Sequence, residues 1–123
     1  MKNIVVLVSG GGTNLQALID AQNRGEILNG RISCVISSKE GAYALERAEK
    51  AGIPTRVIAK KGCPDRVEYS RRILAALQEE KADLVVLAGF MVILDEMVSK
   101  AYPNQINAFD ITLTLPGIAG IIL

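Results

Sequence analysis

The chain has 123 residues, with 14 Lys and Arg against 13 Asp and Glu, a formal net charge of +1, and half of its residues hydrophobic. That balance leaves no broad electrostatic footprint for nucleic acid or an anionic membrane, so any anion must be met locally. Histidine is absent altogether, which removes the commonest general acid-base group and metal ligand, and no metal site is expected.

A chain of this length makes one domain at most, with room for a sizeable core. Cys34 and Cys63 have neither CxxC spacing nor the density of a secreted scaffold, and read as free thiols of a cytoplasmic protein. The N-terminus enters a strand without a secretory apolar region, and no apolar run approaches the ~20 residues that span a bilayer. A soluble protein with neither nucleic acid nor membrane as partner is expected.

The first element is Ile4 to Val8, five apolar residues, mostly β-branched, which suits a strand buried on both faces. Gly10, Gly11 and Gly12 follow. Leu15, Leu18 and Ile19 then share one face of a helix that starts near Thr13 or Asn14, either of which is a suitable N-cap. Glycines before a helix let backbone N–H groups approach an anion at the positive helix end, so Gly10 to Asn14 is a candidate phosphate loop. A plain tight turn is an equal reading of the glycines alone. Neither a P-loop nor a dinucleotide fingerprint fits: no Gly-Lys-Ser/Thr follows, and Leu15 stands where the third dinucleotide glycine belongs.

Asn23-Arg24-Gly25 stops the helix, Asn29-Gly30 turns the chain, and Arg31 to Ile36 is the second strand. A polar loop, Ser37 to Gly41, leads to a helix from Ala42 to Ala51 with Leu45, Ala48 and Ala51 inward and Gly52 at its C-terminal end. Thr55 to Ile58 is the third strand. From Asp65 a long helix presents Val67, Ser70, Leu74 and Leu77 on one face with Ile73 beside them. Glu79 and Glu80 read as its solvated end and receive no chemistry.

Leu84 to Leu87 is a fourth apolar strand, followed by Ala88-Gly89-Phe90-Met91. The loop with Phe90, Met91, Ile93 and Leu94 is either an apolar wall for a flat ligand or a cap over the sheet. A short helix, Asp95 to Ala101, stops at Tyr102-Pro103-Asn104. Residues 105–123 supply a fifth strand and an apolar tail, uncharged after Asp110, that invites self-association into a homo-oligomer. Strands alternating with helices at this spacing predict an α/β fold: a Rossmann-like, doubly wound, mainly parallel sheet with helices on both faces and ligands beyond the C-terminal strand ends.

The run from Asn3 to Asp20, with Ser9-Gly10-Gly11-Gly12-Thr13-Asn14-Leu15 at its centre, resembles the N-terminus of the phosphoribosylglycinamide formyltransferase family. Leu45-Glu46-Arg47-Ala48, Gly52-Ile53-Pro54-Thr55, Asp65-Arg66 with Tyr69, and Asp83 to Met91 resemble it in the same order, almost continuously from residue 2 to about 107. The resemblance implies formyl transfer from the cosubstrate 10-formyltetrahydrofolate to the amine of glycinamide ribonucleotide in de novo purine biosynthesis. It also implies that Gly10, Gly11, Gly12, Thr13 and Asn14 hold the substrate phosphate. Arg66, Met91, Val92, Ile93 and Leu94 match folate-binding positions, with Val92 where the family commonly has arginine.

Such a reaction needs an unprotonated amine, a proton for the departing folate nitrogen and stabilisation of a tetrahedral oxyanion. The resemblance assigns these tasks to an Asn-x-His-Pro segment and a later aspartate. Asn107 matches the asparagine, while Phe109 and Asp110 stand at the histidine and proline positions. A slip of one residue removes the asparagine match too. Loss of a general acid commonly costs ~10²–10⁴-fold in rate, and Asp110 replaces it only if its pKa is raised toward neutrality.

Residues 1–123 therefore read as a single N-terminal, nucleotide-binding part of a formyltransferase domain, apparently truncated or frame-shifted, with 108–123 a divergent tail; genuine divergence is the alternative. Three other functional readings stand beside the transferase. They are a catalytically inactive ribonucleotide-phosphate or folate-binding domain, another folate-dependent formyl transferase or hydrolase, and an inert fragment.

Overall fold

The computed structural model of the protein describes residues 2–27 and 29–103, together with the backbone of 106–107. Five strands form one parallel sheet in the order β3-β2-β1-β4-β5, comprising β1 (Lys2–Val8), β2 (Gly30–Ser37), β3 (Thr55–Val57), β4 (Leu84–Leu87) and β5 (Ile106–Asn107). Helices α1 (Thr13–Asn23), α2 (Tyr43–Lys50), α3 (Arg66–Glu79) and α4 (Glu96–Ala101) connect them. The expected fold class is the one observed. The fifth strand lies at Ile106–Asn107, and the tail 108–123 lies outside the described residues.

Strand β1 is central and buried on both faces because its residues alternate between two cores. Ile4, Val6 and Val8 pack with Leu15, Leu18 and Ile19 of α1 and with Ala44 and Ala48 of α2. Val5 and Leu7 pack on the opposite side with Tyr69, Ile73 and Leu77 of α3 and Val98 of α4. A continuous apolar run is what a strand between two helical layers requires.

Three sequence-based expectations about helices need correction. Neither Thr13 nor Asn14 caps α1: the N-cap is Gly12, in the left-handed region at φ 80°, and no side chain accepts from the first turn. In α2 the buried residues are Ala44 and Ala48, while Leu45 is half-buried and Ala51 exposed. In α3, Ser70, Ile73 and Leu77 are buried as expected and Leu74 packs against the same core, but Val67 is exposed, and Tyr69 and Ala76 are buried with them. Tyr69 turns inward because its hydroxyl finds the Ile58 carbonyl at 2.7 Å, which satisfies its polar end as burial requires.

Other boundaries follow familiar rules. Asp65 and Asp95 cap α3 and α4, accepting from the N–H groups of Glu68 and Met97. Gly52, at φ 76°, follows the C-cap of α2 in the left-handed conformation that ends helices. The third strand ends at Val57, one residue before the expected Ile58, whose N–H still reaches the Ser37 carbonyl at 2.9 Å. Among the described residues no helix is long and apolar enough to cross a membrane.

Two predictions follow from the packing. A Cβ on Gly12 would lie 2.7 Å from Ala44 Cβ and 2.8 Å from its Cα, whereas one on Gly10 meets nothing within 4 Å. Gly12→Ala should therefore lower unfolding stability by about 2 kcal/mol or more, from left-handed strain plus the clash, and Gly10→Ala by less than about 0.5 kcal/mol. Equal denaturation midpoints for the two variants would contradict this packing. Both cysteines are free thiols. Cys34 is buried between strands, which pushes its thiol up to about 12, so iodoacetamide at pH 8 should label Cys63 alone in the folded protein and both thiols once guanidinium unfolds it, read by mass.

Candidate functional site

The strand order reverses between β1 and β4, since the chain proceeds from β1 to β2 and β3 on one side and places β4 and β5 on the other. Loops leaving the C-terminal ends of β1 and β4 separate there and open a crevice, the usual ligand position in such sheets. A cavity of about 320 Å³ occupies it, lined by Ser9 to Asn14, Ala88, Gly89, Met91 and Lys39. The five expected phosphate-loop residues, Gly10, Gly11, Gly12, Thr13 and Asn14, thus share one cavity.

The loop divides its backbone groups by polarity. Gly10 O accepts from Ala44 N–H at 3.1 Å, Gly12 O accepts from Gln16 N–H at 2.8 Å, and Gly11 O accepts from Arg47 Nε at 2.7 Å. All three carbonyls are engaged by helices α1 and α2. Among the described residues, none of the hydrogen bonds uses the N–H of Gly10, Gly11, Gly12, Thr13 or Asn14. A cavity edged by donors without acceptors, at the positive end of an 11-residue helix, favours an anion with several oxygens. The absence of a side-chain N-cap belongs to the same arrangement, because a capping hydroxyl or amide would consume one of these donors.

A second cavity, of about 740 Å³, adjoins the first, with Lys39 and Met91 lining both. Its other walls are Ser38, Glu40, Ala59, Lys60, Lys61 and Val92. Ser9 and Ser38 are 3% and 2% exposed, and their hydroxyl oxygens lie 2.6 Å apart. Ser9 Oγ also accepts from Met91 N–H at 2.9 Å. These bonds hold together the loops that follow β1, β2 and β4.

The segment after β4 alternates between the core and the outside. Phe90, Val92 and Leu94 pack against the core beneath the sheet, while Met91 and Ile93 are 79% and 74% exposed. Ile93 and Leu94 line a separate cavity of about 210 Å³ with Leu87, Val92, Asp95 and Ser99. Met91 and Val92 therefore face the large cavity, and Ile93 and Leu94 do not. Arg66 is exposed at the first position of α3 and lines none of these three cavities. The Asn107 backbone pairs with Leu87, at the C-terminal end of the sheet; its side chain, Phe109 and Asp110 lie outside the described residues. Among the described residues no cluster of Cys, Asp or Glu has the makings of a metal site.

Ser9, Ala88 and Gly89 line the crevice at the strand ends, Ser9 to Asn14 and Ala88 to Leu94, where the sequence places ligands, whereas Ser38 and Lys39 are lining residues that the sequence assigns only to a polar loop. The available signal was positional: parallel neighbours of β1 must deliver their following residues to the same edge.

Residues 2–109 match the family model described as formyl transferase. A phosphoribosylglycinamide formyltransferase of Haemophilus influenzae is 43% identical over 121 residues, which cover 98% of this chain and 56% of that protein. The Escherichia coli phosphoribosylglycinamide formyltransferase is 41% identical over 104 residues, covering 85% of this chain and 49% of that one. Glycinamide ribonucleotide transformylase 1 of Symbiobacterium toebii superposes with a TM-score of 0.82 at 39% identity, across 87% of this chain and 50% of that structure. The chain thus spans about half the length of these relatives. The loop, the sheet order and the extent of the match lead to one assignment: the chain belongs to the formyl transferase family.

Proposed function

We propose that the chain performs the phosphate-recognition part of glycinamide ribonucleotide formyl transfer, in which a formyl group passes from 10-formyltetrahydrofolate to the ribonucleotide amine in purine biosynthesis. The observation that carries the proposal is the row of backbone N–H groups at Gly10 to Asn14 that lines the crevice without a partner among the described residues, occurring in a member of this family. A phosphate group takes several N–H donors at a helix N-terminus without any further residue type. Gly10, Gly11, Gly12, Thr13 and Asn14 are assigned to that phosphate.

For folate, the support is apolar surface beside a cavity of suitable size. Met91 and Val92 border about 740 Å³, within the range of small-ligand pockets, and they are the residues assigned to the bicyclic ring. Ile93, Leu94 and Arg66 are assigned to folate more weakly, since they lie outside that cavity. Asn107 is assigned to the formyl carbon's oxyanion. Residues 1–123 are taken as the N-terminal, nucleotide-binding part of the domain, with 108–123 as a divergent tail. Two free thiols support a cytoplasmic setting.

A second reading, a non-catalytic ribonucleotide-binding domain, is favoured by one specific observation: Phe109 and Asp110 occupy the positions of the family's His-Pro pair, and the chain has no histidine. Phenylalanine cannot donate a proton to a departing nitrogen.

Calorimetric titration with glycinamide ribonucleotide, paired with an assay of tetrahydrofolate release from 10-formyltetrahydrofolate, separates the readings. Saturable ribonucleotide binding is expected, with turnover reduced at least ~10²–10⁴-fold relative to a family enzyme carrying the His-Pro pair. Failure to bind the ribonucleotide would refute the phosphate assignment. Turnover at ordinary family rates would refute the non-catalytic reading.

A further inference from the structure

The crevice at Gly10 to Asn14 offers N–H donors and a helix end, and its own motif supplies no cation. In a P-loop a lysine within the motif meets the phosphate charge, but here Thr13-Asn14-Leu15 follows the glycines. A phosphate monoester near neutral pH carries close to two negative charges, against roughly half a charge at a helix N-terminus. The loop therefore leaves much of the ligand's charge unmatched.

Among the described residues, one cation lines the crevice: Lys39. It comes from the loop after β2, the strand beside β1, and its backbone is held at both ends. Ser37 Oγ donates to Lys39 O at 2.7 Å, and Lys39 N–H donates to Ser37 Oγ at 3.1 Å. The preceding residue, Ser38, is fixed to Ser9 at 2.6 Å. Lys39 itself is exposed, and its ammonium makes no ion pair among the described residues.

The nearby alternative is Arg47, and it is committed elsewhere. Its guanidinium donates to Gly11 O at 2.7 Å and to Gln16 Oε1 at 3.3 Å, and it lies 4.9 Å from the Tyr43 ring centroid. It lines a different groove, with Gln16 and Tyr43. Lys60 and Lys61 border only the larger cavity.

We infer that Lys39 is a phosphate-binding residue: the cation missing from the glycine motif is delivered from elsewhere in the same chain, by the neighbouring strand's loop. This rests on the ribonucleotide reading above and adds to it the residue that neutralises the phosphate. Lys39 also borders the larger cavity, so the same residue adjoins the phosphate subsite and the second ligand's space.

The test titrates the full chain, as wild type, Lys39→Met and Lys39→Arg, with glycinamide ribonucleotide and with its dephosphorylated ribonucleoside, at two salt concentrations. Lys39→Met should weaken ribonucleotide binding about 10- to 100-fold, flatten its salt dependence and leave ribonucleoside binding unchanged. Lys39→Arg should recover most of the loss. Thermal unfolding of both variants should match the wild type, as an exposed side chain predicts. Equal ribonucleotide affinity in wild type and Lys39→Met overturns this role alone. Equal losses for ribonucleotide and ribonucleoside also overturn it, since they mean a displaced loop. A wild type that binds no ribonucleotide overturns the parent reading and this one together.

Discussion

The Ser9 hydroxyl sits at the point where three loops meet, beyond the ends of β1, β2 and β4, and it is shielded from water. Its oxygen bonds to Ser38 and to the Met91 amide at once. Removing it would strand a buried hydroxyl on one side and an amide on the other, each worth about 1–3 kcal/mol of lost solvation. The glycine loop, the lysine-bearing loop and the apolar segment after β4 are thus tied to one another through one polar atom. A methyl or larger aliphatic group there would fill space without aligning anything.

The same economy governs the glycine loop. Its carbonyls face α1, α2 and Arg47, and its amides are left over. The small residue at Ala44 follows, because α2 must approach Gly12 closely enough for its own N–H to reach Gly10 O. A bulky residue on the inner face of α2 would push that helix outward and release the carbonyls. Anion recognition and helix packing are here two results of one close contact.

Much of this architecture was legible in the residues. The apolar runs at Ile4 to Val8 and Leu84 to Leu87 announce strands covered on both sides, and alternation with helices implies a parallel sheet. The inner face of α2 was not legible, because periodicity weights Leu45 above Ala44 while close approach to Gly12 selects the smaller residue. Tyr69 escaped for a related reason: its place on the inner face depends on a carbonyl eleven residues earlier, which hydrophobic spacing does not register. The loop at Gly10 to Asn14 was readable as a local motif, whereas Lys39 joins it only through the lateral pairing of β1 with β2. Likewise, only alternate residues of the segment after β4 face outward, a distinction that composition does not contain.

The central position of β1 also sets an order of events during synthesis. Its two neighbours arrive at very different times: β2 begins at Gly30, but β4 only at Leu84. Met91, which completes the Ser9 bond, lies 82 residues downstream. At about 5–20 residues per second the roughly 80 residues between them take about 4–16 s to synthesise, during which one edge of the first strand is uncovered. The carbonyls of the glycine loop thus find their partners in α1 and α2 well before Met91 reaches Ser9.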